Sequence, residues 1–144
     1  MIVPDVNLLL YATISGFAEH APARRWWEAA LDGTEPVGLS TLSLFAFIRV
    51  ATNKRILRTP LPVEEAIGHV ESWLARPQVD LLLPGPRHLE IAFGLLRRLR
   101  TGADLSTDVQ LAALALENQA ELHSNDTDFG RFPGLRWVNP LPRS

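Results

Sequence analysis

No cysteine occurs anywhere in the 144-residue sequence. That absence excludes a disulfide framework, a Cys-based zinc site and dithiol redox chemistry. Histidine is scarce, and His20, His69, His88 and His123 show no HExxH or comparable ligand spacing. There is no GxSxG nucleophile elbow, no P-loop and no GxGxxG turn. An excess of positive charge is also lacking: 14 Lys and Arg stand against 16 Asp and Glu, for a net charge of −2. A protein that coats nucleic acid is normally clearly basic, although this balance leaves room for an enzyme that binds RNA locally. No apolar run reaches membrane-spanning length, and the first residues turn acidic too soon for a secretory leader. A cytoplasmic protein without membrane contact is expected.

What is present is ordinary globular composition, 47% hydrophobic and 21% charged, enough for a single domain over 1–144 with a full core. Strand and helix patterns alternate along it. Ile2 and Val3 read as a buried strand and Val6 to Ala12 as an apolar helix. A helix follows with Ala23, Trp26, Trp27 and Ala30 on one face, ending at Gly33. Then come a strand over 36–40, an apolar helix in "TLSLFAFIRVATN" and a loop over 55–62. Pro62 opens the next helix, with Val63, Ile67, Val70 and Leu74 at helical spacing, and a third strand covers 79–84. A helix through "HLEIAFGLLRRLR" closed by Gly102, a helix in "STDVQLAALALENQA", a strand and turn in "ELHSND" and an edge strand in "LRWVNP" complete the chain. Strands joined by helices require crossovers, so the expected fold is α/β, a mostly parallel central sheet with helices on both faces. Sites in such sheets form beyond the carboxyl ends of the strands.

Asp5 stands at such an end, between the first strand and its helix. Helix capping alone would account for it, because an Asp side chain accepts from unpaired N–H groups of the first turn. Asp108 is the second candidate: Leu111, Ala112 and Ala115 lie three, four and seven residues further on, so it heads the core-facing stripe of its helix. Its structural alternative is complementing the helix dipole. Asp126 follows the strand at Leu122 and His123 and is the third. Asp128 reads as the shaper of an Asx turn. Glu117 and Glu121 are expected away from the cleft. Trp26 and Trp27 read as packing, and Arg97, Arg98 and Arg100 as cations at a helix C-terminus or as a phosphate-binding patch. Carboxylates converging without His or Cys suit a hard divalent cation such as Mg²⁺, which takes oxygen ligands and shares substrate phosphates. Without a cation, such acids would repel one another.

In "VPDVNLLLYA", "FIRVATN", "TDVQLAALALENQAEL" and "SNDTDFGRF" the sequence resembles PIN domains, and more closely the VapC-like toxin ribonucleases of bacterial toxin–antitoxin pairs. The resemblance covers nearly the whole chain. It implies a PIN-like α/β sandwich and endoribonuclease activity dependent on Mg²⁺ or Mn²⁺. It also implies an RNA substrate, a cognate antitoxin and a homodimer. The family's acids fall on Asp5, Asp108 and Asp126 as catalytic and metal-binding residues. Asn7 and Ser124 match polar positions that orient such carboxylates, Asn7 being equally readable as an exposed first-turn residue. One departure stands out: where members often carry a Glu three residues before the Arg of "FIRVATN", here Arg49, this chain has Ala46. That loss favours, as the alternative, a catalytically weak or inactive RNA- or protein-binding module. A metal-dependent phosphatase or DNA nuclease is a third reading, because three carboxylates specify a cation better than a polymer.

Overall fold

Parallel strands covered on both sides have no solvent face, so each reads as a short apolar run without alternation. In the computed structural model, which describes residues 1–100, 102 and 105–142, the inner strands follow this pattern most closely. Strand β1 (Ile2–Pro4) lies at the centre of a five-stranded sheet ordered β3-β2-β1-β4-β5. Its neighbours are β2 (Val37–Ser40), β3 (Val79–Leu82), β4 (Glu121–His123) and β5 (Arg136–Val138). Every pairing is parallel, with Ile2 opposite Val37 on one side and Glu121 on the other. β1 and β2 are buried at every residue.

Among the described residues, six α-helices make the crossovers: α1 (Val6–Thr13), α2 (His20–Asp32), α3 (Thr41–Ala51), α4 (Val63–Leu74), α5 (His88–Leu99) and α6 (Ser106–Glu117). They cover two apolar cores. One holds Leu8, Leu9, Trp27, Phe47 and Trp73 from α1 to α4 against Val37 and Leu39. The other packs Ala92, Leu95, Val109 and Ala112 from α5 and α6 against Val3 and Leu122. Phe47 is completely buried, so its truncation to Ala would cost about 3–5 kcal/mol.

Several element ends fall a few residues from the sequence expectation, and two of these shifts have a clear cause. The third strand ends at Leu82, before Pro84, which has no N–H to give a ladder. Helix α5 closes at Arg100, in the left-handed region at φ 57°, and not at Gly102. The Arg100 N–H donates to the Leu96 carbonyl, which holds the turn one residue pair earlier than the glycine.

The exit of α6 fixes the approach to β4. Gln119 is left-handed at φ 52°, its N–H donates to the Leu116 carbonyl at 3.2 Å, and the Ala120 N–H donates to the Ala115 carbonyl at 2.9 Å. This pair of bonds is a Schellman closure, which satisfies the last carbonyls and turns the chain sharply into the strand. At that same end, Glu117 accepts from the N–H groups of Gly85 (2.8 Å) and Arg87 (2.9 Å), tying α6 to the segment entering α5. Since β1 and β4 are adjacent and parallel, Asp5 and Ser124 leave the sheet side by side.

Candidate metal centre

Asp5 is the point at which β1 becomes α1. Its N–H still donates to the His123 carbonyl at 2.9 Å, and its extended backbone (φ −79°, ψ 157°) makes it the helix N-cap. The carboxylate divides its work: Oδ1 accepts from the Val6 N–H at 2.7 Å, and Oδ2 accepts from the Ser124 hydroxyl at 2.7 Å. The capping role and a place in the cleft are therefore compatible. Asp5 is only 8% exposed, and burial pushes its carboxyl above the usual range. The bonds from Ser124 and Val6 oppose that rise, and the negative charge of Asp126 adds to it.

Ser124 is wholly buried and fully engaged. Beyond donating to Asp5, its hydroxyl oxygen accepts from the Asp126 N–H at 3.0 Å and from the Asn7 amide at 3.4 Å. Its backbone is held by β5, through its N–H to the Val138 carbonyl and its carbonyl to the Trp137 indole N–H. Asn7 Oδ1 is buried without a protein partner among the described residues. Both polar positions singled out from the sequence thus touch the Asp5–Asp126 pair, through one hydroxyl.

Asp126 caps a short 3₁₀ helix (Thr127–Arg131), its Oδ1 accepting from the Asp128 N–H at 2.9 Å. The Asx-type bond that the sequence reading gave to Asp128 is therefore made by the side chain of Asp126. The tight turn instead swings the Asp128 carboxylate inward: one oxygen each from Asp108, Asp126 and Asp128 lie within 4.8 Å of one another. Oxygens on opposite sides of a Mg²⁺ ion sit about 4.2 Å apart, twice its ~2.1 Å bond length, so the three carboxylates come within a small side-chain adjustment of sharing one hard cation. The donors are all carboxylate oxygens, which fits Mg²⁺ or Mn²⁺ chemistry and not a soft metal.

Asp108 enters from the first turn of α6, with Val109, Leu111 and Ala112 buried behind it. Burial, and then the charges of Asp5, Asp126 and Asp128, push its carboxyl up to about 6. Four acids thus act on one another here. The sequence expectation named Asp5, Asp108 and Asp126; the oxygens near enough to one another to share a cation belong to Asp108, Asp126 and Asp128, while Asp5 is held by Ser124. Asp128 went unassigned because "DTD" reads equally well as a polar loop, in which the spacing alone does not fix the direction of the second carboxylate.

The remaining expectations can be placed too. Ala46 lies half-buried on α3, whose first turn is tied to the end of β1 by the Ser43 hydroxyl donating to the Pro4 carbonyl at 3.4 Å. No acid reaches the cluster from that helix, and Asp128 supplies a fourth from another direction. Glu117 is at the opposite end of α6 from Asp108, and Glu121 opens the strand whose far end leads to Asp126. Trp27 is core at 4% exposure, and the Trp26 indole donates to His123 Nδ1 at 3.2 Å. Arg97, Arg98 and Arg100 are exposed at the end of α5. Burial, and then the charges of Glu19, Asp5 and Asp126, push the phenol of Tyr11, which the sequence reading passed over, above its usual range.

Among the described residues, no helix is long and apolar enough to cross a membrane. Residues 2–135 match the PIN domain family. The chain is 54% identical over 141 residues to Ribonuclease VapC33 of Mycobacterium tuberculosis, covering 98% of this chain and 99% of that one. VapBC2 from Rickettsia felis, bound to a DNA fragment from its promoter, superposes with a TM-score of 0.69 at 18% identity, over 96% of this chain and 98% of that one. A toxin–antitoxin complex from Klebsiella pneumoniae gives a TM-score of 0.64 at 18% identity, over 97% and 98%. With its parallel sheet, its acids beyond the strand ends and this likeness along its whole length, the chain belongs to the PIN-domain family, among the VapC ribonucleases.

Proposed function

We propose that this chain is the toxin of a toxin–antitoxin pair, an endoribonuclease that hydrolyses RNA phosphodiester bonds with Mg²⁺ or Mn²⁺. The observation that carries the reading is the convergence of Asp108, Asp126 and Asp128 oxygens within 4.8 Å, beyond the carboxyl ends of adjacent parallel strands. Asp108, Asp126 and Asp128 hold the cation, and Asp5 adds its negative charge to the site. A divalent ion at such a site activates water and neutralises charge developing on the phosphodiester. Asp5 contributes buried negative charge fixed in direction by Ser124 and Val6, so it needs no rearrangement when substrate arrives. Ser124 keeps Asp5 and Asp126 in register through one hydroxyl, and Asn7 braces that hydroxyl.

Two protein partners belong to this reading, an antitoxin and a second copy of the chain. It is supported by the likeness to toxin–antitoxin assemblies and by the exposure of large apolar side chains at Phe45, Leu83, Leu89 and Phe93. One observation favours a second reading, a binding module with little activity: α3 brings Ala46 where relatives of this kind often bring an acid.

The deciding experiment incubates the purified chain with labelled single-stranded RNA and DNA of one sequence, in Mg²⁺, Mn²⁺ or chelator. The toxin reading expects metal-dependent internal cuts in RNA, lost in Asp108→Asn. RNA that is bound and left intact under every metal condition would establish the binding module instead.

A further inference from the structure

In a parallel ladder a residue's N–H donates to one residue of the neighbouring strand, and its carbonyl accepts from the residue two further on. Ser124 follows directly on β4 and lies beside the end of β5. Its N–H donates to the Val138 carbonyl at 3.0 Å, so the donor due at its own carbonyl is the N–H of residue 140. Residue 140 is proline, which has no N–H to give. The ladder therefore breaks at the residue whose side chain joins Asp5 to Asp126.

A carbonyl on a wholly buried residue needs another donor. Trp137 supplies it. Its indole N–H donates to the Ser124 carbonyl at 2.9 Å, and among the described residues no backbone N–H does so. The same side chain reaches the turn that brings Asp128 inward. Its six-membered ring lies against Gly130, in the 3₁₀ helix Thr127–Arg131, where an added Cβ would stand 3.4 Å from Cζ3 and 3.6 Å from Cε3. One indole thus flanks the segment carrying Asp126 and Asp128 from both ends. Its footing is firm, because Trp137 packs against the core that holds Leu122, Phe129 and Phe132.

We propose that Trp137 is a positioning residue for RNA hydrolysis: its indole N–H replaces the ladder donor missing at Pro140, and so holds Ser124, Asp126 and Asp128 in the arrangement that takes the cation. The proposal rests on the metal-dependent ribonuclease reading and adds to it a residue that acts through Ser124. Turning the Ser124 peptide would move its hydroxyl from Asp5 and from the Asp126 N–H together, because one oxygen makes both bonds. A chain that keeps the arrangement only part of the time binds a cation more weakly in proportion.

Trp137→Phe keeps an aromatic ring and removes the N–H. Mn²⁺ affinity, read by calorimetry, should fall roughly 3- to 10-fold, the range for one neutral hydrogen bond. Cleavage of an oligoribonucleotide at limiting Mn²⁺ should fall by the same factor, in kcat and not in KM. In the metal-free chain, exchange of the Asp126 amide proton, followed by NMR, should quicken to a similar extent. Pro140→Ala restores the missing N–H: alone it should bind Mn²⁺ as the parent does, and in the Trp137→Phe background it should recover most of the loss. Trp73→Phe takes an indole from the other core, and should lower the unfolding midpoint without altering Mn²⁺ affinity. Affinity within twofold of the parent in Trp137→Phe would overturn the proposal, as would an equal loss in Trp73→Phe. A loss that Pro140→Ala leaves untouched would overturn the substitution of indole for ladder donor. A parent chain that binds Mn²⁺ and cuts no RNA would sink the ribonuclease reading alone. One that binds no Mn²⁺ would sink the metal centre too, and Asp126 exchange would still decide Trp137, an unchanged rate overturning its role.

Discussion

Asp108 sets up a pH dependence whose sign can be worked out. In the metal-free protein its carboxyl is raised to about 6, mostly by burial and then by the charges of Asp5, Asp126 and Asp128. Below about pH 4 the group is protonated in the folded and the unfolded chain alike, and it contributes nothing. Between about pH 4 and 6 the folded chain keeps a proton that the unfolded chain has lost, so stability falls as pH rises. Above 6 the cost is fully present. A rise of roughly two pH units corresponds to about 3 kcal/mol, and partial exposure to water reduces that to about 1–2 kcal/mol. Asp108→Asn removes the charge, and gives up about 0.5 kcal/mol of dipole interaction at the start of α6. The net expectation is a variant more stable than its parent by about 1 kcal/mol at pH 7.5 in chelator, by urea unfolding, and indistinguishable from it near pH 4. Excess Mg²⁺ should reverse the order, because a ligand that binds only the folded state stabilises only the chain able to hold it. A variant less stable than the parent by the same margin at both pH values would refute the reasoning, since the charge of Asp108 would then carry no folding cost.

Asp5→Asn should abolish RNA cleavage and leave the unfolding midpoint unchanged or raised, because an amide still caps Val6 and carries no buried charge; full activity, or failure to fold, would return Asp5 to a structural role. Ser124→Ala should lower unfolding free energy by about 2–4 kcal/mol, since it strips a donor from buried Asp5 and an acceptor from the Asp126 N–H. A loss below about 0.5 kcal/mol, by the same denaturation, would show that water replaces the hydroxyl at no cost. Asp128→Asn should weaken Mn²⁺ binding in calorimetry and reduce cleavage in proportion; unaltered metal affinity would place Asp128 outside the coordinating set.

Much of the fold is legible in the sequence because its strands and helices differ in length as well as pattern. Ile2–Pro4 and Val37–Ser40 are too short for helices and end in capping residues, Asp5 and Ser40. Asp108 stands out because it heads a stripe of buried residues, which a solvent-facing acid would not do. Asp128 was hidden for a physical reason: its direction depends on the pitch of one 3₁₀ turn, and no periodicity marks a turn of that length. Arg100 was hidden likewise, because Gly102 is the expected left-handed residue and the chain adopts that conformation two positions earlier. No acid stands at Ala46, and the acid that joins Asp108 and Asp126 in the structure, Asp128, comes from the turn after Asp126.

The indole N–H of Trp137 is bonded to the carbonyl of Ser124, and that of Trp26 to His123, the residue before it. Two of the chain's four tryptophans are thus wired to consecutive residues at the end of β4, Trp26 packed against one apolar core and Trp137 against the other. Indole emission responds to the bonding of that N–H. The protein therefore carries a built-in optical gauge of its own cleft floor. Removing Trp26 or Trp137 in turn would show which side yields when a cation or a strand of nucleic acid arrives, with no dye attached.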